Sequence, residues 1–258
     1  MTESTEPKGE RIAKRMADAG LCSRREAERW IVAGRVLVDG VKLTSPAVTV
    51  TDANQIVVDG ELLPSRAKAR LWCYHKPTGL VTTHRDPQGR PTVFENLPAD
   101  LPRVISIGRL DLNSEGLLLL TNSGELARKL ESPETGWKRR YRVRAHGRPL
   151  PASLEGLAKG VTVDGMRYGP IEATLERQQG ANAWLAVGLH EGRNREVRKA
   201  LESIGLKVNR LIRIAYGPFQ LGNLAAGEVR EVPNKIMRDQ VGMIEKVPHK
   251  TRPGARKR

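Results

Sequence analysis

The sequence predicts an α+β protein with a mixed, mostly antiparallel sheet, preceded by a small separate unit. Three observations predict it. After residue 70, strand-like runs outnumber helix-like ones. Several of those runs are joined by short turns, which argues against a doubly wound sheet. Before residue 62, two short helical patterns lead into hairpin signals and carry a high density of cations.

Residues 1–9 read as a disordered leader. The small unit is placed at 10–61. Ile12, Met16, Ala19 and Leu21 suit one apolar face of a short helix. Ser23 followed by Glu26 has the capping-box pattern and starts a second helix, which Gly34 ends. Asp39-Gly40 between alternating residues signals a hairpin, and Asp59-Gly60 repeats the cue. Residues 62–70 read as a polar linker, and 71–237 as the larger domain. Its expected strands are 71–76, 104–108, 117–121, 140–145, 171–175, 183–189 and 208–215. Its expected helices are 123–130, 152–159 and 194–204. Residues 238–258 read as a basic, disordered tail.

The charge narrows the partner. A chain of 258 residues with a formal net charge of +15 exceeds what solubility needs and points to a polyanion. No polybasic stretch adjoins an apolar helix, so nucleic acid is favoured over an anionic membrane. The apolar run Leu117 to Leu120, like every other in the sequence, is too short to span a bilayer. Cys22 and Cys73 form no CxxC pair, which disfavours a zinc site or disulfide framework and fits a reducing compartment. A cytoplasmic monomer is expected. In the small unit Lys14, Arg15, Arg24, Arg25, Arg29 and Arg35 are the candidate phosphate contacts, with helix and hairpin arginines on one side.

Four segments of the larger domain are placed to carry chemistry. In the first, Arg109 and Asp111 sit in a polar loop between two apolar strands, which would hold both rigidly. In the second, Arg193 and Arg195 precede a helix capped by Asn194. Val197 lies on that helix's apolar stripe, and Arg198 lies at its edge. If Arg198 points inward it needs a carboxylate. In the third, Tyr141 alternates with arginines, placed either to stack on a base or to edge the core. The fourth, residues 76–94, is a Gly/Pro-punctuated loop carrying Lys76, Arg85 and Arg90, long enough to be functional.

The small unit resembles the alpha-L (S4-like) RNA-binding domain, through AKRMADAGLCSRREAE at 13–28 and GRVLVDG at 34–40. The larger domain resembles the RsuA/RluB-type pseudouridine synthases. The resemblance is carried by GRLDLNSEGLLLLTN at 108–122, EGRNREVR at 191–198 and RLIRI at 210–214. The run DPQGRPTVF at 86–94 is most similar to members that act on large-subunit ribosomal RNA.

This resemblance implies isomerisation of a flipped-out uridine to pseudouridine. Asp111 falls at the catalytic aspartate and Tyr141 at the active-site tyrosine. Arg198 falls at the arginine paired with the aspartate, Arg109 where the nucleotide is held, and Val197 against the base. Arg139 stands where the family often has lysine. Nothing is added to the substrate or lost from it, so no cofactor or metal is expected. The sequence shows no P-loop, dinucleotide fingerprint or metal-ligand cluster. Two other readings compete with this one. A non-catalytic RNA-binding or ribosome-assembly factor would rest on the small unit alone. An RNA hydrolase would want a second acid beside Asp111, and only Glu115 is near in sequence.

Overall fold

The computed structural model describes residues 9–242. The larger domain is built on a nine-stranded sheet. Along its main path run Ile171–Gln179, Asn182–Leu189, Arg139–His146, Lys207–Tyr216, Glu115–Thr121, Leu71–Lys76 and Val229–Glu231. Ile105–Ile107 pairs with Glu115–Thr121, and Phe219–Gln220 with Lys207–Tyr216. Within this sheet only the pairing of Glu115–Thr121 with Lys207–Tyr216 is parallel. The chain is therefore α+β with a mixed, mostly antiparallel sheet, as the strand-rich pattern predicts.

The apolar run after Glu115 is continuous because both faces of its strand are covered. Leu118 and Leu120 join one buried cluster with Trp72, Tyr74 and Tyr141. Leu117 and Leu119 join the other with Leu71, Leu126 and Tyr216. The helix Gly124–Glu131 closes the second face. Ser123 caps it by accepting from the Leu126 N–H at 3.2 Å. On the first face, the helix Glu196–Glu202 buries Val197, Ala200 and Leu201.

In the small unit the helices Ile12–Asp18 and Arg24–Val32 pack beside a four-stranded sheet. The Ser23–Glu26 capping box forms as predicted. Leu21 does not join the buried face; it is exposed, and Cys22 is buried in its place.

Three further differences have physical causes. A hairpin, Val161–Val163 with Met166–Tyr168, follows the helix Pro151–Leu157; it turns through Asp164-Gly165, where the sequence reading has no element. Val229–Glu231 is short and adds a sheet edge by pairing to Leu71–Lys76. The chain is also ordered past the expected boundary at 238. Asn234–Val241 is a helix whose Met237 and Val241 are buried in the second cluster, contacts that no local pattern announces. Most of the expected tail, and the leader up to residue 8, lie outside the described residues.

Gly116 is where the parallel strand crosses closest. Its φ is +104°, and a Cβ there would lie 2.3 Å from the Arg213 carbonyl oxygen and 2.7 Å from its nitrogen. Gly116→Ala should cost at least about 2 kcal/mol of unfolding free energy, since backbone strain and a backbone clash add. Urea denaturation followed by circular dichroism checks this.

Candidate functional site

Asp111 opens a tight turn, residues 111–114, that leads into the strand Glu115–Thr121. The Ser114 N–H donates to the Asp111 carbonyl at 3.0 Å. Every carbonyl of that turn is held. Gly79 N–H donates to Leu112 at 2.9 Å, and Arg198 Nη2 donates to Asn113 at 2.8 Å. Lys76 Nζ donates to the carbonyls of Asp111 at 3.2 Å, Ser114 at 2.9 Å and Pro77 at 2.9 Å. Just before the turn, the Thr82 hydroxyl donates to the Leu110 carbonyl at 2.7 Å. The carboxylate is thus presented by a fixed backbone while its side chain stays half-buried.

The side chain faces a cleft of about 800 Å³. Arg109, Asp111, Tyr141, Arg193, Arg195 and Val197 all line it, so six of the sequence candidates converge. Tyr141 reaches it from the strand Arg139–His146, and Val197 from the first turn of its helix. Arg139, Glu196 and Arg213 also line it.

Several candidates stand elsewhere. Lys76 is fully buried beneath the Asp111 turn, so in this structure it anchors backbone and is not open to substrate. Arg198 does turn inward and is buried, but no carboxylate lies within salt-bridge distance among the described residues. Its guanidinium donates to the carbonyls of Val208 and Asn113. It reaches Asp111 through the backbone of the turn and through its field. Asn194 is not the cap of its helix. Arg195 is, in a left-handed conformation with φ 52°, and the Glu196 carboxylate accepts from the Arg193 N–H at 2.9 Å. Arg90 lies outside the cleft and pairs with Asp86 at 2.8 Å. Arg85 lines a second, smaller groove.

The cations of the small unit do not form one free face. Lys14 pairs with Glu10 and, at 3.2 Å, with Asp18; Arg15 pairs with Asp52 and, at 3.3 Å, with Glu10; Arg35 pairs with Asp59. Arg24, Arg25 and Arg29 are exposed, with no ion pair among the described residues.

Two buried charged residues of the cleft escaped the sequence reading. Arg213 donates through Nε to the Leu117 carbonyl at 2.7 Å, and its Nη2 has no partner. Alternation from Leu211 through Ala215 is the signal that turns it inward. Glu196 is also buried, with Oε1 unpartnered, and burial pushes its carboxyl above the ordinary value. Burial also holds the Arg198 guanidinium below its usual range, with Arg195 adding to it and Asp111 opposing.

A family model described as RNA pseudouridylate synthase matches residues 70–203, and one described as S4 domain matches 10–57. An RNA pseudouridine synthase of Rickettsia prowazekii, itself uncharacterized, is 53% identical over 233 residues, 90% of this chain and 98% of that one. The chain belongs to the RNA pseudouridylate synthase family. Like its family, it is an RNA-modifying isomerase, here with an S4 domain at its N-terminal end. Ribosomal large subunit pseudouridine synthase B of Escherichia coli K12 is 43% identical over 218 residues, 82% of this chain and 75% of its own. A crystal structure of a pseudouridylate synthase superposes with a TM-score of 0.62 at 26% identity, covering 90% of this chain and 99% of the other. No described helix is long and apolar enough to cross a membrane.

Burial pushes the Lys76 ammonium down to about 8 from 10.5, with Asp111 and Glu115 opposing. The folded value lies below the unfolded one, so unfolding takes up a proton between those limits and stability rises with pH across them. Lys76→Met should abolish that rise relative to the parent in denaturation curves at pH 7 to 10. It should also cost about 1–3 kcal/mol at pH 7 through the unmet carbonyls.

Proposed function

We propose that this enzyme converts a uridine of large-subunit ribosomal RNA to pseudouridine, with Asp111 as its catalytic carboxylate. It works in the cytoplasm, as a monomer and without a membrane partner. The observation that carries the chemistry is the convergence of Asp111, Tyr141 and Val197 on one cleft, with the Asp111 turn anchored at every carbonyl. The similarity to ribosomal large subunit pseudouridine synthase B supports the substrate.

The reaction breaks the C1′–N1 bond and forms a C1′–C5 bond; C5 loses a proton and N1 gains one. An ionised Asp111 attacks the ribose or stabilises positive charge at C1′, as carboxylates do in glycosidases. The uracil is retained in the cleft, so one carboxylate suffices. Arg198 acts as a positioning residue, holding the Asn113 carbonyl two residues from Asp111. Tyr141 stacks on the flipped base, which offsets part of the unstacking cost of a few kcal/mol. Val197 packs against the base, and Arg109, Arg193 and Arg195 meet the phosphates around it.

Asp111→Asn should lose at least about 10³-fold in pseudouridine formation on a 23S ribosomal RNA transcript, because an amide can neither attack nor carry the charge. Binding should remain within a few-fold, and full activity in this variant would remove Asp111 from its role. Binding itself should weaken steeply between 50 and 200 mM salt, roughly one unit of log–log slope per phosphate neutralised. Fluorescence anisotropy at several salt concentrations measures it, and a flat response would contradict phosphate-driven affinity.

A further inference from the structure

Arg213 stands in the wall of the Asp111 cleft with only its Nε bonded among the described residues. Nε donates to the Leu117 carbonyl at 2.7 Å, while Nη2 is closed to water and has no partner. The residue as a whole is 3% exposed. We propose that Arg213 is a catalytic residue whose free guanidinium nitrogens hold a carbonyl oxygen of the flipped uracil and stabilise the negative charge that gathers there as the C1′–N1 bond breaks. The proposal rests on the reading of this cleft as the uridine site, and it adds a second charged group, opposite in sign to Asp111, to the chemistry.

Position comes first. Arg213 and Tyr141 are directly opposite each other on adjacent antiparallel strands, and both line the cleft. Residues paired in this way share one face of the sheet, with Cβ atoms about 5 Å apart. The guanidinium therefore emerges beside the ring that stacks on the base. On its other side the parallel pairing sets Arg213 against Gly116, two residues past the turn that Asp111 opens. Its field reaches that turn, since it helps hold the Lys76 ammonium below its ordinary value. The group is also held in place. Besides the Leu117 bond, its Cζ lies 5.3 Å from the centroid of the Tyr216 ring. Glu131 and Glu191 line the same cleft but are engaged elsewhere, with the Gly108 N–H and with Arg193. The charge of Arg213 is thus left for a group that enters.

Chemistry comes second. When the C1′–N1 bond breaks, its electron pair leaves with the uracil. Asp111 meets the positive charge at C1′, and the negative charge spreads over N1, O2 and O4. A fixed donor shielded from water suits that charge, because nothing has to reorganise as the charge develops. The uracil then returns its electrons to form the C1′–C5 bond, after which C5 loses its proton and N1 takes one up. For C5 to reach C1′, the ring must make a half-turn about the line through N3 and C6. That half-turn puts C5 where N1 stood and O4 where O2 stood. One immobile donor therefore serves both halves of the reaction, holding O2 as N1 departs and O4 as C5 arrives. A buried donor without a partner is costly at rest, and a carbonyl oxygen in the cleft removes that cost.

The test uses the full-length protein and two variants that separate the structural bond from the free nitrogens. Glutamine carries its amide nitrogen at the position of the arginine Nε, so Arg213→Gln keeps a donor for Leu117 and removes both terminal nitrogens. Arg213→Lys keeps a positive charge but has a carbon at that position. Single-turnover loss of unmodified uridine from a 23S ribosomal RNA transcript is followed by nuclease digestion and chromatography. Arg213→Gln should be slower by about 10²- to 10³-fold, Arg213→Lys by less, and transcript binding should stay within a few-fold. A role confined to holding Leu117 predicts the reverse order. The second substrate is the same transcript made with 5-fluorouridine in place of uridine. Fluorine makes the departing uracil a more stable anion, so the loss in Arg213→Gln should be several-fold smaller there. The ratio of the two rates from one preparation does not depend on how much of the variant is folded. Equal losses on the two transcripts, or a greater loss in Arg213→Lys than in Arg213→Gln, would overturn the role of Arg213. Asp111→Asn runs alongside. If it is inactive while Arg213→Gln keeps the parent's rate, only the Arg213 proposal fails. If it consumes uridine as fast as the parent, the reading of the cleft fails and this proposal falls with it.

Discussion

The structure depends on two buried cations gripping the backbone of one short turn. Lys76 has three N–H donors and three carbonyl partners, so its ammonium is satisfied with none to spare. Arg198 takes a fourth carbonyl, that of Asn113. Burying charge without partners is costly, and here backbone dipoles offset the cost in place of carboxylates. The arrangement leaves the Asp111 side chain without a hydrogen bond or ion pair among the described residues, while both cations feel its charge. A carboxylate fixed through its backbone alone keeps both oxygens open to a ligand.

That turn can exist only because of the sheet beneath it. The single parallel pairing brings Arg213 against Gly116, so the strand that follows the Asp111 turn lies beside the strand carrying the run at 210–214. The same crossing places Arg213 at the cleft with an unpartnered Nη2. Ser114 Oγ and Glu196 Oε1 also line the cleft without partners. Unpaired buried groups are disfavoured in a resting core, and their concentration at one cleft fits a site completed by a polar ligand.

Much of this was legible in the residue pattern. The longer strands between Leu71 and Tyr216 announce themselves by alternation or by unbroken apolar runs, and the Ser23 capping box by its spacing. What escaped was either short or non-local. The Asn234–Val241 helix is held by Met237 and Val241 packing on residues distant in sequence. Lys76 was assigned to substrate because lysine in a loop-edge motif suggests a free cation. Its register told otherwise: it alternates with Trp72 and Tyr74 and so shares their inward face. Arg15 and Arg35 looked like phosphate contacts, but their carboxylate partners come from residues 37 and 24 positions away, which spacing on a helix cannot reveal.

By itself the sequence determined which groups are present and which face each one takes on its own element. Hydrophobic period and turn chemistry are local properties, and the ordered motifs around Asp111, Tyr141 and Arg198 are written in the chain. Only the tertiary structure decided which cations are free and which are engaged. That depends on backbone carbonyls and acids brought together from distant segments, and an electrostatic partner within a few ångströms in space carries no signature in sequence distance. So spacing left open whether Arg198 turns inward, and the structure both buries it and gives it, in place of a carboxylate, the Val208 carbonyl and the backbone of the turn that Asp111 opens.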